Sequence, residues 1–455
     1  MSAMWRRIIQ LALCSLLAVL VIRTWVLEGL VVPVRIIGSS MAETFYGPHL
    51  KLTCLDCGFP FAFDAAVLPR PQHAICPNCG YRKNKTKLLS ICRGDRLLID
   101  KMAYNIRDPR RWEAILFRGP PLQPGYCIKR VVGLPGETIE IHHGDVLIDG
   151  VRAKKTWPEL REMAMVVHDA RHRTTNIALP RRWRVMKPSN GWEFVEGRFG
   201  YRPKNRMKKN NVQAADLSQQ GAWEDLDWLG YHHYRYRIGS RIEEASVLDN
   251  YGYNQTISRR LNDIVDLYLV ATVEAKGEGV LALRMPGDGQ NFLLTLETNP
   301  PCGTLFYNGH PVKKFSWQAD RLELPSILEV ATVDKQFLFA IDGTPLVSFD
   351  YERPQLHSGA AALRDHTTPQ TDPAALAIGA CGLELRLKDL RLLRDIYYTE
   401  SPTAGLAPES RRHQLGNEEF FVLGDNSPIS LDSRQAGSDG IVDAVDLLGK
   451  PWRWR

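Results

Sequence analysis

The chain has 455 residues, 44% of them hydrophobic and 24% charged, which excludes wholesale disorder and provides for two or three domains. The net charge of +7 is spread over segments such as Arg181–Arg184 and Lys204–Lys209, as on a solvated basic face. No motif for nucleic acid accompanies it, whereas its sign fits attraction to anionic membrane lipid.

Ile8 to Leu27 is apolar apart from Gln10, Arg23 and a few small polar residues. As a helix such a run reaches about 30 Å, the thickness of a bilayer core, so residues 1–28 are expected to form a transmembrane anchor. Arg6 and Arg7 precede the run, which puts the N-terminus in the cytoplasm and the rest of the chain on the extracytoplasmic side of the cell inner (cytoplasmic) membrane. Arg23, near the far end, can snorkel to the headgroups. A cleavable leader is the competing reading. No small-x-small site closely follows the apolar run, so a single-pass, uncleaved anchor is expected. Gly29 to Ile37, rich in valine and isoleucine, is expected to run extended and to carry Gly38-Ser39-Ser40-Met41 along the membrane surface.

Next come Cys54-Leu-Asp-Cys57-Gly and, after eighteen residues, Cys76-Pro-Asn-Cys79-Gly. Two such knuckles give four thiolates able to close a tetrahedron on one metal, and the glycine after each pair lets the backbone turn. Residues 51–89 are therefore expected to be a ribbon with structural Zn on Cys54, Cys57, Cys76 and Cys79. With all four positions filled by cysteine, the metal has no open site for catalysis. Two disulfides are the alternative in an oxidising compartment.

Gly94 to Lys101, Ala114 to Phe117, Gly136 to Glu140 and Val146 to Gly150 read as strands, the last closing with a hairpin signal. Between them lies Tyr126-Cys127-Ile128-Lys129-Arg130-Val131-Val132-Gly133-Leu134-Pro135-Gly136-Glu137, in which a lysine sits among apolar neighbours. From Ala153 to Thr399 the character changes. The part up to about Gln213 is basic, and Pro158 to Ala170 reads as helical. Short strands follow at Val265–Ala275, Gly279–Met285, Phe292–Glu297, Thr304–Tyr307, Ile327–Val333, Gln336–Ile341 and Leu383–Leu393. Asn308-Gly309 and Asp342-Gly343 mark tight hairpins, so a β-sandwich is expected. Phe420-Phe421-Val422-Leu423-Gly424-Asp425-Asn426 then leads to Ser430, Asp432, Ser433 and Arg434, and Gly449–Trp452 reads as a closing strand.

Ser40-Met41, the Lys129 block and the Gly424-Asp425-Asn426 block resemble, in order and chemistry, the diagnostic blocks of the type I signal peptidases, membrane-anchored serine/lysine proteases. The resemblance implies an antiparallel β core from 29–50, 90–152 and 400–455, interrupted by the ribbon and by an insertion over 153–399. Phe337 to Phe349 is similar, loosely, to the jelly-roll sandwiches of the concanavalin and laminin-G type, for which a glycan or protein ligand is implied. The expected fold is mainly β: this core with an N-terminal transmembrane helix, a zinc ribbon and a jelly-roll-like sandwich.

The resemblance further implies Ser40 as nucleophile and Lys129 as its base. Only a neutral lysine can take the serine proton, and burial supplies neutrality. Ser430 matches the serine that holds the lysine amine, and Asp432 with Arg434 a supporting ion pair. Met41 follows the nucleophile as in the family, but Glu43 stands where the family has proline. Ser427 stands where it has arginine. Gly38 replaces a hydroxyl that helps bind the oxyanion in some members, leaving backbone N–H groups for that task. The implied partners are signal peptides of preproteins, cleaved after small residues, and no catalytic cofactor is implied. A client-specific maturation protease, or an inactive scaffold serving as a receptor, are the alternatives.

Overall fold

A computed structural model describes residues 3–66, 69–87, 89–119, 125–186, 191–195, 197–203, 226–236, 242–318, 322–351, 376–400, 412–434 and 440–453. The basic run Lys204–Lys209 lies outside the described residues. The fold is mainly β, as expected.

The N-terminal helix α1 covers Ala3–Val21 and passes into a wider helical turn over Ile22–Leu30. From Met4 to Thr24 it is long and apolar enough to cross a membrane, and none of it is buried against the rest of the chain. The extended segment starts later than the valines and isoleucines indicate, at Val31, because the helical geometry continues through Gly29 and Leu30.

The first sheet gathers chain from both ends of the sequence. Its strands are β1 (Val31–Arg35), β2 (Arg96–Asp100), β3 (Ala114–Arg118), β4 (Tyr126–Gly133), β5 (Glu419–Leu423), β6 (Val442–Asp443) and β7 (Leu447–Arg453), in the spatial order β1-β2-β7-β3-β4-β5-β6. Both faces of β4 are buried, which explains its near-continuous apolar run. One face packs Cys127 and Val131 with Phe420 and Val422; the other sets Ile128 with Met41, Leu97 and Leu116. A small second sheet pairs Val151–Arg152, Asp145–Ile148, Thr138–His142 and His413–Gln414 in that order. The chain leaves for the long insertion from one strand of this sheet and returns on another. The two ends of the insertion thus lie at opposite edges of this one four-stranded sheet.

The insertion folds as two facing antiparallel sheets. One orders Trp192–Val195, Arg198–Tyr201, Glu384–Arg394, Leu267–Lys276, Ser326–Val333, Gln336–Ile341 and Thr344–Asp350, with Met165–Asp169 also on Glu384–Arg394. The other orders Trp183–Val185, Asp227–Tyr231, Ala377–Cys381, Val280–Pro286, Asn291–Thr298, Pro301–Tyr307 and His310–Ser316. Leu269, Val330, Phe339 and Leu387 from the first meet Leu283, Leu294, Leu305 and Ile378 from the second in a shared core. Both expected tight hairpins form, with Asn308, Gly309, Asp342 and Gly343 all at positive φ, the backbone that a two-residue loop demands. The helix expected over Pro158–Ala170 is corrected. It covers only Trp157–Met163, started by a capping box of Thr156 and Glu159, and Met165–Asp169 is a strand. Val166 pairs with Leu393 there, Val167 lies at a bulge before His168 pairs with Leu392, and the strand extends the sandwich.

Candidate functional site

Lys129 leaves β4 toward the end of the sheet where β5 gives way to Gly424. Its side chain is only 2% exposed, and its amine donates to Ser430 Oγ at 3.0 Å. Burial lowers its pKa from 10.5 to about 8, opposed by the nearby carboxylate of Asp432. Ser430 itself is fully buried behind a short helical turn at Ser427–Ile429.

Ser40 arrives from the other side. Met41 anchors its loop by packing among Ile36, Leu97, Leu116 and Ile128, and Phe45 N–H closes a turn on Met41 C=O at 2.8 Å. Asn426 then fixes the two serine peptides: its backbone N–H donates to Ser40 C=O at 2.9 Å and its Nδ2 to Ser39 C=O, also at 2.9 Å. The absent side chain of Gly424 makes room for this. A Cβ there would lie 2.2 Å from Ser430 Oγ and 2.5 Å from Ser40 C=O, so the nucleophile loop and the lysine's partner touch the same glycine. Among the described residues the Ser40 hydroxyl makes no direct hydrogen bond to the Lys129 amine. Gly38 is open, with nothing within 4 Å of the place its Cβ would occupy.

Two buried ion pairs flank the lysine. Asp432 and Arg434 form a bidentate pair at 2.7 and 2.8 Å, and Asp432 also accepts from Gly424 N–H at 3.0 Å. Burial alone would raise the Asp432 carboxyl; Arg434 and Lys129 overcome it and hold the pKa below the usual value. Arg434 further donates to Ser427 Oγ at 2.8 Å and to Thr399 C=O at 2.8 Å. The serine in place of the family's arginine is thus a working acceptor. The second pair joins Arg130 to Asp425, with both side chains at 0% exposure, Nε to Oδ1 at 2.8 Å and a second bond at 2.6 Å.

Sequence reasoning missed Arg130, which alternation in a strand could have placed on the face opposite Lys129. It also missed Tyr251 and Asn254 from the insertion, which carry no local signal. Tyr251 OH donates to Asp425 C=O at 2.8 Å, and Asn426 Nδ2 donates to Asn254 Oδ1 at 3.1 Å. Glu43, in the family's proline position, is partly buried against the backbone of Gly252 and Tyr253; burial raises its pKa.

The four cysteines converge as the spacing predicts. Cys54 and Cys79 Sγ are 3.6 Å apart and Cys57 and Cys76 Sγ 3.7 Å, and no two are disulfide-bonded. Tetrahedral zinc with Zn–S bonds of about 2.3 Å needs S···S separations of about 3.8 Å, so the donor set fits a metal. Gly58 and Gly80 take positive φ, and their amides donate to Cys54 and Cys76 C=O at 3.0 and 2.9 Å, closing each knuckle. Asn78 ties the ribbon to the insertion through Asp169 and His172.

Residues 84–187 match a family described as signal peptidase, peptidase S26. That span contains Lys129 and leaves Ser40 and Ser430 outside it. The chain is 37% identical over 78 residues to signal peptidase I of Leptolyngbya laminosa, covering 15% of this chain and 38% of that protein. It is 31% identical over 104 residues to signal peptidase I V of Bacillus subtilis, covering 23% of this chain and 59% of that protein. The chain therefore spans between about two fifths and three fifths of these relatives' lengths. A carbohydrate-binding module from Bacillus subtilis is similar over 47% of this chain and 92% of its own, at 9% identity and a TM-score of 0.23, too low to speak to fold or ligand.

Proposed function

We propose that the protein is a membrane-bound serine endopeptidase that removes signal peptides from preproteins, with Ser40 as nucleophile and Lys129 as general base. The observation that carries this reading is the buried amine of Lys129, lowered to about 8 and held by Ser430 beside the glycine that also receives the Ser40 backbone. An amine with that pKa is substantially neutral near pH 8. One N–H goes to Ser430, and its lone pair is free to take the Ser40 proton once substrate draws the hydroxyl within reach.

In the first half-reaction Ser40 Oγ bonds to the scissile carbonyl carbon while its proton passes to Lys129. The tetrahedral oxyanion is held by backbone N–H groups, because Gly38 offers no side chain. The C–N bond breaks, the new amine takes the proton from Lys129, and an ester on Ser40 remains. Water then loses a proton to Lys129 and attacks the ester carbon; the C–O bond to Ser40 breaks, Ser40 Oγ takes the proton back from Lys129, and the acid is released. Asp432–Arg434 and Arg130–Asp425 keep the surrounding charge balanced, so that Lys129 is not itself held as the cation of an ion pair.

The apolar helix from Met4 to Thr24 supports anchoring in a membrane, with the site at its outer face. An anchored substrate with a hydrophobic leader would meet the enzyme at raised effective concentration. We assign structural zinc to Cys54, Cys57, Cys76 and Cys79; the metal would staple the ribbon without entering the reaction. The test is cleavage of a leader with small residues before the scissile bond, in detergent micelles. Wild type should cleave it while Ser40→Ala and Lys129→Ala should not; cleavage by either variant would remove the dyad.

A further inference from the structure

The inserted region sends one stretch, residues 250–255, out of the sandwich and into the ground between the first sheet and the ribbon. Its contacts on the two sides are different in kind. Toward the ribbon, Gln255 brackets Ile75, accepting from its N–H and donating to its C=O, each at 2.7 Å, and Tyr253 C=O accepts from Asp64 N–H at 3.2 Å. Toward the first sheet, Tyr251 OH reaches Asp425 C=O, and Asn254 meets Asn426 in a reciprocal amide pair.

That amide pair is the consequential contact. Asn254 is 7% exposed and Asn426 fully buried, so each carboxamide depends on the other for partners water would otherwise supply. Asn426 has a two-lone-pair oxygen and two N–H groups. One N–H goes to Asn254 Oδ1 and the same Nδ2 also serves Ser39 C=O, while the backbone N–H holds Ser40 C=O. The orientation of the Asn426 carboxamide, and through it the peptide planes of Ser39 and Ser40, is set from the side away from the loop by Asn254. Without that partner only the Ser39 C=O selects between the two amide orientations, and in the flipped state the Asn426 carboxamide turns an oxygen toward it. Arg394, also from the insertion, steadies the stretch by donating to Asn250 C=O at 3.0 Å while its guanidinium lies over the Tyr251 ring.

We propose that Asn254 is a positioning residue for the reaction, holding the Ser39–Ser40 backbone through Asn426, so that the inserted region is a working part of the catalytic site. The inference rests on the peptidase reading given above. A displacement of about 1 Å at a nucleophile costs on the order of a hundredfold in rate.

The test uses the full chain in micelles. Asn254→Ala should lower kcat for the leader substrate by tenfold to a hundredfold with KM changed less than twofold. Its melting temperature should fall by no more than a few degrees, the cost of leaving the buried Asn426 amide short of a partner, its metal content should stay that of wild type, and the affinity for an uncleavable leader, measured on a Ser40→Ala background, should be unaltered. Asn254→Asp, nearly the same shape, keeps the acceptor for Asn426 Nδ2 and loses the donor to Asn426 Oδ1; it should fall between the two and decides the matter if the alanine variant does not fold. Wild-type kcat in both variants, or a loss confined to KM, would overturn the inference. Should Ser40→Ala still cleave, the peptidase reading itself has failed, an outcome read independently of Asn254.

Discussion

Lys129 and Ser430 lie 301 residues apart in sequence and 3.0 Å apart at their polar atoms, and no other hydrogen bond of the lysine amine is formed among the described residues. The contact closes at the end of the first sheet where β5 gives way to Gly424, next to the carbonyl of Ser40.

The first prediction concerns pH. With Lys129 lowered to about 8, kcat/KM should rise roughly tenfold per pH unit below that value and level off above it. Stability should move in the same sense. An unfolded lysine keeps its proton up to about 10.5, so between about 8 and 10.5 the unfolded chain binds a proton that the folded chain has released, and stability rises with pH across that window. Below it, the buried cation costs about 3 kcal/mol. Lys129→Met should therefore be inactive yet more stable than wild type at pH 7 by about 1–3 kcal/mol, a gain that shrinks by pH 10. Urea unfolding at the two pH values measures it; a loss of stability at pH 7 would count against the unpaired buried amine.

The Arg130–Asp425 pair gives a second. Arg130→Met leaves the buried Asp425 without its counterion and should cost about 3–5 kcal/mol; Asp425→Leu leaves Arg130 its contact to the half-exposed Glu162 at 3.0 Å and should cost less. The double variant should recover much of that loss, and a double-mutant cycle by thermal unfolding would measure the coupling. Additive losses would mean the pair is not a unit.

A third concerns the cysteines. Elemental analysis should find one zinc per chain, Cys54→Ser should lose it, and a chelator should lower the melting temperature. Because Asn78 links the ribbon to Asp169 and His172, that loss should loosen the neighbouring part of the sandwich too, visible as faster amide exchange there. Two disulfides in a thiol assay would contradict the metal.

The open space at Gly38 gives a fourth. Nothing lies within 4 Å of a Cβ there, so Gly38→Ser should fold without strain. A hydroxyl aimed at the oxyanion should raise kcat by about threefold to tenfold with little change in KM. An unchanged or lower kcat would place the developing charge elsewhere.

The parts of this fold that were legible in sequence are those with local chemistry. The cysteine knuckles carried their own spacing, the Asn-Gly and Asp-Gly turns their own backbone, and Lys129 its apolar neighbours. The strand Met165–Asp169 was hidden because Thr156 and Glu159 start a true helix just before it, and nothing polar marks where that helix stops. The wider contribution of the insertion was hidden for another reason. Asn254 meets Asn426 across 172 residues, and neither residue type announces a partner at such a distance. If the insertion only selected clients, excising roughly residues 175–394 would leave a general leader peptidase active; because that span carries Asn254 and Tyr251, its removal should lower activity on every substrate.

The central claim is that Ser40 is acylated with Lys129 as its base. The most direct measurement is mass spectrometry of the enzyme treated with an electrophilic leader-peptide analogue across pH 6 to 9. We expect one adduct, on the peptide containing Ser40, forming faster as pH rises through about 8 and absent from Lys129→Ala. An adduct on another residue, or one that forms on Ser40 at the same rate without the lysine, would contradict it.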